Sequence, residues 1–168
     1  IQRSRGLGDV YKRQRWGREL GAAFGNMGAY QGYAAVAYPQ GQLLSWTTLE
    51  KGGILVGETG RRFGNEDLGY SGFAAHVLDQ GEFAWAIYDA RIHDIAEAEE
   101  EYAEMATMGA VSWAETPAAL AAKVGLDADG LTETIAAYNS AALNDGTDEF
   151  GRTAFALAPL QPPFAAVR

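Results

Sequence analysis

Residues 60–71 read GRRFGNEDLGYS. Two guanidinium groups (Arg61, Arg62), a ring (Phe63), an amide (Asn65), two carboxylates (Glu66, Asp67) and a phenol (Tyr70) follow one another almost without spacing. Such a set can hold a ligand's polar groups. It can equally be the end of a hairpin running into a helix cap, with its charges paired internally. Spacing alone does not separate the two. Elsewhere chemistry is sparse. His76 and His93 are read as structural histidines, not metal ligands. Glu97, Glu99, Glu100, Glu101 and Glu104 read as the solvated face of a helix. Ser71 lacks the G-x-S-x-G setting of an activated nucleophile. There is no G-x-G-x-x-G, no P-loop, no H-E-x-x-H and no cysteine. No metal site is expected.

The elements that would position this stretch follow from pattern. GGILVG (52–57) is a short apolar strand, Glu58-Thr59-Gly60 a turn, and Arg61-Arg62-Phe63 the start of a return strand. Ser71 is expected to cap a helix to about Gln80, burying Phe73, Ala74, Val77 and Leu78, with Gly81 closing it. FAWAIYD (83–89) reads as a strand. Ile92, Ile95, Tyr102 and Met105 mark one helix. Thr116 with Pro117 and Gly125 bracket another, and Asp127 caps a third whose stripe is Leu131, Ile135, Tyr138 and Ala142. FAAVR (164–168) reads as a strand. Trp16, Leu20, Phe24 and Met27 have helical spacing interrupted by Gly17, Gly21 and Gly25. Tyr30, Tyr33, Tyr38 and Trp46 concentrate aromatics in an irregular layer or a pocket wall. The sum is an α+β domain.

The chain has 168 residues, enough for one ordinary core, and a net charge of −9. That sign argues against a nucleic-acid partner. No apolar run is long enough for a membrane span, and no signal-peptide pattern is visible, so the expected location is cytoplasmic. Residues 1–14 carry Arg3, Arg5, Lys12 and Arg13 against Asp9 alone, without periodicity. Within them DVYKRQ resembles a translated transposon-end sequencing adaptor. The expectation is an artefactual tail, with the natural protein cut near residue 15.

With these residues in view, GGILVGETGRRFGNEDLGYSGFAAHVLDQ resembles the middle of the FAD-dependent fumarate reductase and succinate dehydrogenase flavoprotein family. WGRELGAAFGNMGAYQGY, GLDADGLTETIAAYNSAA and DEFGRTAFALAPLQPPFAAVR resemble further blocks of that family in the same order, so the resemblance covers about residues 15–168. It implies a two-domain flavoprotein of which this chain holds the capping (substrate) domain: 15–29 the tail of the FAD-binding domain, 30–163 the cap, 164–168 the return. It also implies FAD, held mostly by regions absent from the chain, and oxidation or reduction of a C–C bond next to a carbonyl or carboxylate of a small-molecule substrate. The electron partner is left unspecified, and the isolated chain is expected to be inactive. The alternative is a non-enzymatic α+β module that binds a small molecule.

Carried over by resemblance, Tyr70 occupies the proton-donor position, where the fumarate reductases have arginine. Tyr33 falls near their substrate-binding histidine, and Thr48 and Glu50 near their Thr-Glu pair, here not adjacent. Arg61, Arg62, Asn65 and Glu66 frame the site. Both departures exchange a basic group for a phenol and imply a less anionic substrate, a ketone or monocarboxylate. A phenol with its ordinary pKa of about 10 is a hydrogen-bond donor at neutral pH, and Arg61 or Arg62 could assist it.

Overall fold

A computed structural model describes residues 12–29, 31–144, 147–153 and 159–168. The chain forms two compact units, Ile1–Gln31 and Gly32–Arg168. In the first, helix α1 covers 12–19 and ends where Gly21 takes φ +74°. Arg15 pairs with Glu19 at 3.4 Å, and Arg18 lies 5.7 Å over the Phe24 ring. The expected tail therefore overlaps α1 at residues 12–14, and 1–11 lie outside the described residues. The helical spacing through Met27 is only partly realised, because the glycines that follow α1 take the chain out of the helix.

The second unit is built on a four-stranded antiparallel sheet, order β1-β2-β4-β3: β1 Ile54–Val56, β2 Trp85–Asp89, β3 Ser112–Ala114 and β4 Phe164–Val167. Ile54 pairs with Ile87, Ile87 with Ala166, and Ala166 with Ser112. Every residue of β2 and β4 is buried, so both faces of these central strands are covered. Helices α2 (Thr47–Glu50) and α5 (Ala90–Ala96) pack on β2. Helix α7 (Pro117–Val124) packs on β3 and β4, with α8 (Ala128–Leu143) behind it. The core runs through Leu49, Ile54, Ile87, Tyr88, Ile92, Tyr102, Met105, Leu120 and Leu131.

Local chemistry sets the helix ends as expected. Thr116 Oγ1 accepts from Ala119 N at 3.2 Å, Pro117 opens α7, and Gly125 closes it in the left-handed region. Asp127 Oδ1 accepts from Gly130 N at 2.6 Å. Other expectations change. The hairpin reduces to one bridge, Val56 to Arg62, because β1 pairs with β2 instead. Ser71 caps nothing: it lies inside α3 (Gly69–Gly72), followed by α4 (Ala74–Leu78). Leu78 is 78% exposed. The helix read through Ile92 and Met105 breaks into α5 and α6 (Glu100–Thr107), with Glu99 extended between them and Ile95 exposed.

The turn 57–60 is fixed against the first turn of α8. A Cβ on Gly130 would stand 2.0 Å from Thr59 O, and one on Gly60 2.5 Å from Leu131 N. Asp127 N donates to Glu58 O at 3.2 Å. Only glycine permits this approach, and it sets the direction in which Arg61 and Arg62 leave the turn.

Candidate active site

Arg62 turns inward. Its Nε donates to Glu66 Oε1 at 3.1 Å and its Nη1 to Asp148 Oδ2 at 2.6 Å. Glu66 Oε1 also accepts from Leu55 N at 3.0 Å, tying the motif to β1. Arg152, fully buried, donates through Nη1 to Glu66 Oε2 at 3.3 Å and to Gly53 O at 2.9 Å. Its Nε reaches Asp67 Oδ1 at 3.2 Å. Both guanidiniums lie over the Tyr138 ring, at 5.5 and 5.9 Å. Burial works to lower the Arg62 pKa, but the hydrogen bonds and charges of Glu66 and Asp148 outweigh it and raise it. Arg61, one residue earlier, points outward and pairs with exposed Glu133. Asn65 Oδ1 accepts from Asp67 N at 2.9 Å and starts the 3-10 turn Glu66–Leu68.

That turn delivers Tyr70. Ala34 N donates to Tyr70 O at 3.0 Å, which sets Tyr33 beside it. The two rings stack with centroids 4.8 Å apart at 26°. Trp46 meets Tyr70 edge-on at 6.4 Å, and Phe73 backs Trp46 at 6.2 Å. Tyr33, Trp46 and Tyr70 wall a cavity of about 240 Å³ that Thr47 and Glu50 of α2, and Glu99 and Glu101 at the start of α6, complete. The charged residues lining it are Glu50, Glu99 and Glu101. Burial raises the Tyr33 pKa most. A backbone hydrogen bond at Trp46 opposes this, and the Glu99 and Glu101 charges add to the rise. Tyr33 therefore stays protonated, and its hydroxyl donates to Leu44 O at 3.1 Å.

The structure thus brings together Tyr33, Glu50 and Tyr70 from the sequence-derived set. Tyr70 is 40% exposed. Thr48 is a correction: its side chain is buried and its Oγ1 donates to Ser45 O at 2.8 Å, so Thr47, not Thr48, lines the cavity. A one-residue offset on a helix turns a side chain about 100° away, which spacing from a non-adjacent Thr-Glu match does not resolve. Arg61 and Arg62 do not line the cavity; their charge is committed to acids elsewhere. Sequence reading missed Arg152 and Asp148 as members of the frame, and Glu99 and Glu101 as site residues. For Arg152 the signal was present in DEFGRTAFALAPL, where an arginine comes directly before a mostly apolar stretch.

An α+β unit of this kind is shared with flavoprotein oxidoreductases. The chain is 31% identical over 151 residues, 89% of its own length, to an NADH:fumarate oxidoreductase of Klebsiella pneumoniae. It is 28% identical over 133 residues to a fumarate reductase (cytochrome) of Shewanella frigidimarina. It spans 16% and 23% of the lengths of these curated relatives. Among solved structures it matches the open conformation of a flavocytochrome c3 fumarate reductase with a TM-score of 0.75, at 26% identity over 90% of this chain and 26% of that one. A 3-ketosteroid Δ4-(5α)-dehydrogenase of Rhodococcus jostii in complex with 4-androstene-3,17-dione matches with a TM-score of 0.57 and 27% identity, over 72% of this chain and 25% of that one. No family model matches. The chain is a relative of the fumarate reductase flavoproteins and corresponds to one segment of them.

FAD needs backbone N–H groups converging on its pyrophosphate. The chain has no glycine-rich dinucleotide motif. What the described residues offer is an aromatic wall with a phenol at its edge, so they do not fit the whole cofactor. No helix among the described residues is long and apolar enough to cross a membrane.

Proposed function

We infer that residues 30–163 form the substrate-covering cap of an FAD-dependent oxidoreductase that adds or removes hydrogen across a C–C bond next to a carbonyl. FAD, held by the rest of such a protein, would supply the hydride exchange. This chain's residues bind and orient the substrate and exclude water. Tyr70 donates a hydrogen bond through its hydroxyl to the substrate's carbonyl or developing enolate oxygen. Tyr33, whose hydroxyl is occupied by Leu44 O, is a positioning residue that presents Tyr70 through ring stacking.

One observation carries the substrate class: the charged groups of the cavity are all acids. A dicarboxylate would meet repulsion from Glu50, Glu99 and Glu101 with no cation on this wall, whereas a neutral ketone would meet rings and a phenol. The structural relative crystallised with a steroid dione is consistent with a ketone. In the full-length flavoprotein, Tyr70→Phe keeps the ring stack and removes only the hydroxyl. Turnover should fall about 10²-fold or more with little change in stability. Near-wild-type turnover would leave Tyr70 as packing and end the assignment.

A further inference from the structure

Arg152 enters the interior from a turn in which Asp148 Oδ1 accepts from Phe150 N and from Arg152 N, both at 2.9 Å. Its guanidinium meets two separate parts of the chain. On one side Nη2 donates to Leu49 O at 2.5 Å and Nη1 to Gly53 O at 2.9 Å. These bonds grip the last turn of α2 and the chain that leaves it. On the other side Nε donates to Asp67 Oδ1 at 3.2 Å and Nη1 to Glu66 Oε2 at 3.3 Å, both in the 3-10 turn Glu66–Leu68. Arg152 is 1% exposed, so water does not compete for these acceptors.

The two parts carry different walls of the Tyr70 cavity. Helix α2 supplies Thr47 and Glu50, with Trp46 at its N-terminal boundary. The 3-10 turn runs directly into Gly69 and Tyr70. Among the described residues no hydrogen bond joins α2 to the turn or to Tyr70. Ring contacts of Trp46 with Tyr70 and Phe73 touch across the gap. The hydrogen bonds that span it all come from one guanidinium. That group is planar, and its donors point in fixed directions, so it sets both the distance and the angle between its acceptors.

We propose that Arg152 is a positioning residue for the Tyr70 cavity. It does not line the cavity. It holds Tyr70 in place against Trp46 and Glu50 by bonding both walls with one rigid fork. Lysine at this position would keep the charge beside Glu66, but a single ammonium nitrogen cannot reach Leu49 O, Gly53 O and Asp67 together. Arg152→Lys thus separates charge balance from positioning. The joining of the walls stands on these contacts alone, and its effect on turnover rests on the role inferred for Tyr70.

Fluorine NMR of the whole chain labelled with fluorotyrosine tests the joining, with the Tyr33 and Tyr70 signals assigned by their loss in Tyr33→Phe and Tyr70→Phe. In folded Arg152→Lys both signals should move by more than a linewidth toward their unfolded positions. Leu120→Ala, in the core behind α7, lowers stability but should leave the folded signals in place. Unmoved Tyr33 and Tyr70 signals in folded Arg152→Lys overturn the proposal. Where that variant fails to fold, Asp67→Ala decides, since it cuts one arm of the fork at a half-exposed residue. The fluorotryptophan signal of Trp46, on the opposite wall, should then move, and an unmoved signal overturns the proposal. In the full-length flavoprotein Arg152→Lys should lower kcat roughly tenfold or more, the scale of a displaced reacting group. It should change kcat less than about twofold in a Tyr70→Phe background, because the two act as a unit. Equal losses in both backgrounds overturn action through Tyr70. Wild-type turnover of Tyr70→Phe ends the role inferred for that phenol and leaves the joining of the walls to the fluorine signals.

Discussion

Replacing Glu66 by glutamine removes one charge and almost no volume. Glu66 is fully buried between Arg62 and Arg152, and its two oxygens serve Leu55 N, Arg62 and Arg152. In the wild type the two buried guanidiniums are balanced by Glu66 and Asp148, with half-exposed Asp67 outside. In the variant one carboxylate faces two cations. The amide can keep an acceptor for Leu55 N, but its NH₂ then points donors at guanidinium donors. Breaking a buried pair in this way costs about 3–5 kcal/mol. Asp148 and Asp67 still pair with Arg62 and Arg152, so the lower end, about 3 kcal/mol, is expected. For a domain of this size that lowers Tm by roughly 6–12 °C. Urea denaturation followed by tryptophan fluorescence measures it, with Arg61→Ala as the contrast. Arg61 sits in an exposed pair and should lose no more than about 1 kcal/mol. The Glu66 loss should persist in 1 M salt, since buried charges are little screened. A loss below about 1 kcal/mol with an unchanged m-value would refute the network as a stabilising frame.

Gly130→Ala, ordinarily favourable inside a helix, should destabilise by about 1–3 kcal/mol, because the new Cβ meets Thr59 O at 2.0 Å; a gain in urea midpoint would refute the close packing of turn and helix. Tyr102 and Tyr138 are both pushed up to about 12 by burial. The stability they supply is complete below the unfolded phenol pKa of about 10 and is lost as pH rises through their folded values. Stability should therefore decline between about pH 10 and 12, and Tyr138→Phe should flatten that decline while losing its neutral-pH bond to Gly52 O. A decline of unchanged steepness would show that Tyr138 is not one of the titrating groups.

What was legible in the sequence is what is decided locally. Thr116, Pro117, Gly125 and Asp127 fix helix ends through bonds spanning three or four residues, and they stand where the sequence puts them. The strands Ile54–Val56 and Trp85–Asp89 announce themselves by apolar content. Their pairing does not, because β2 joins segments that lie some thirty and eighty residues away along the chain. Strand β3 escaped notice: its three residues are half-buried and show no alternation. The break between α5 and α6 also escaped, since glutamates continue the polar pattern straight through it.

The motif at 60–71 divides along the same line. Arg61 and Arg62 are adjacent in sequence and opposite in role, because successive side chains in an extended backbone face opposite ways. The one facing α8 meets Glu133 in solvent; the one facing inward enters the buried network. Which faces inward depends on the packing of Gly60 and Gly130, and that is a tertiary fact. The same packing removes both cations from the neighbourhood of Tyr70. The cavity's charge is then set by Glu50, Glu99 and Glu101, of which the last two read in sequence as an ordinary solvated helix face. A stretch rich in arginine thus stands next to a cavity whose own charged lining is acidic, and it is on that sign, more than on the motif, that the proposed uncharged carbonyl partner of Tyr70 rests.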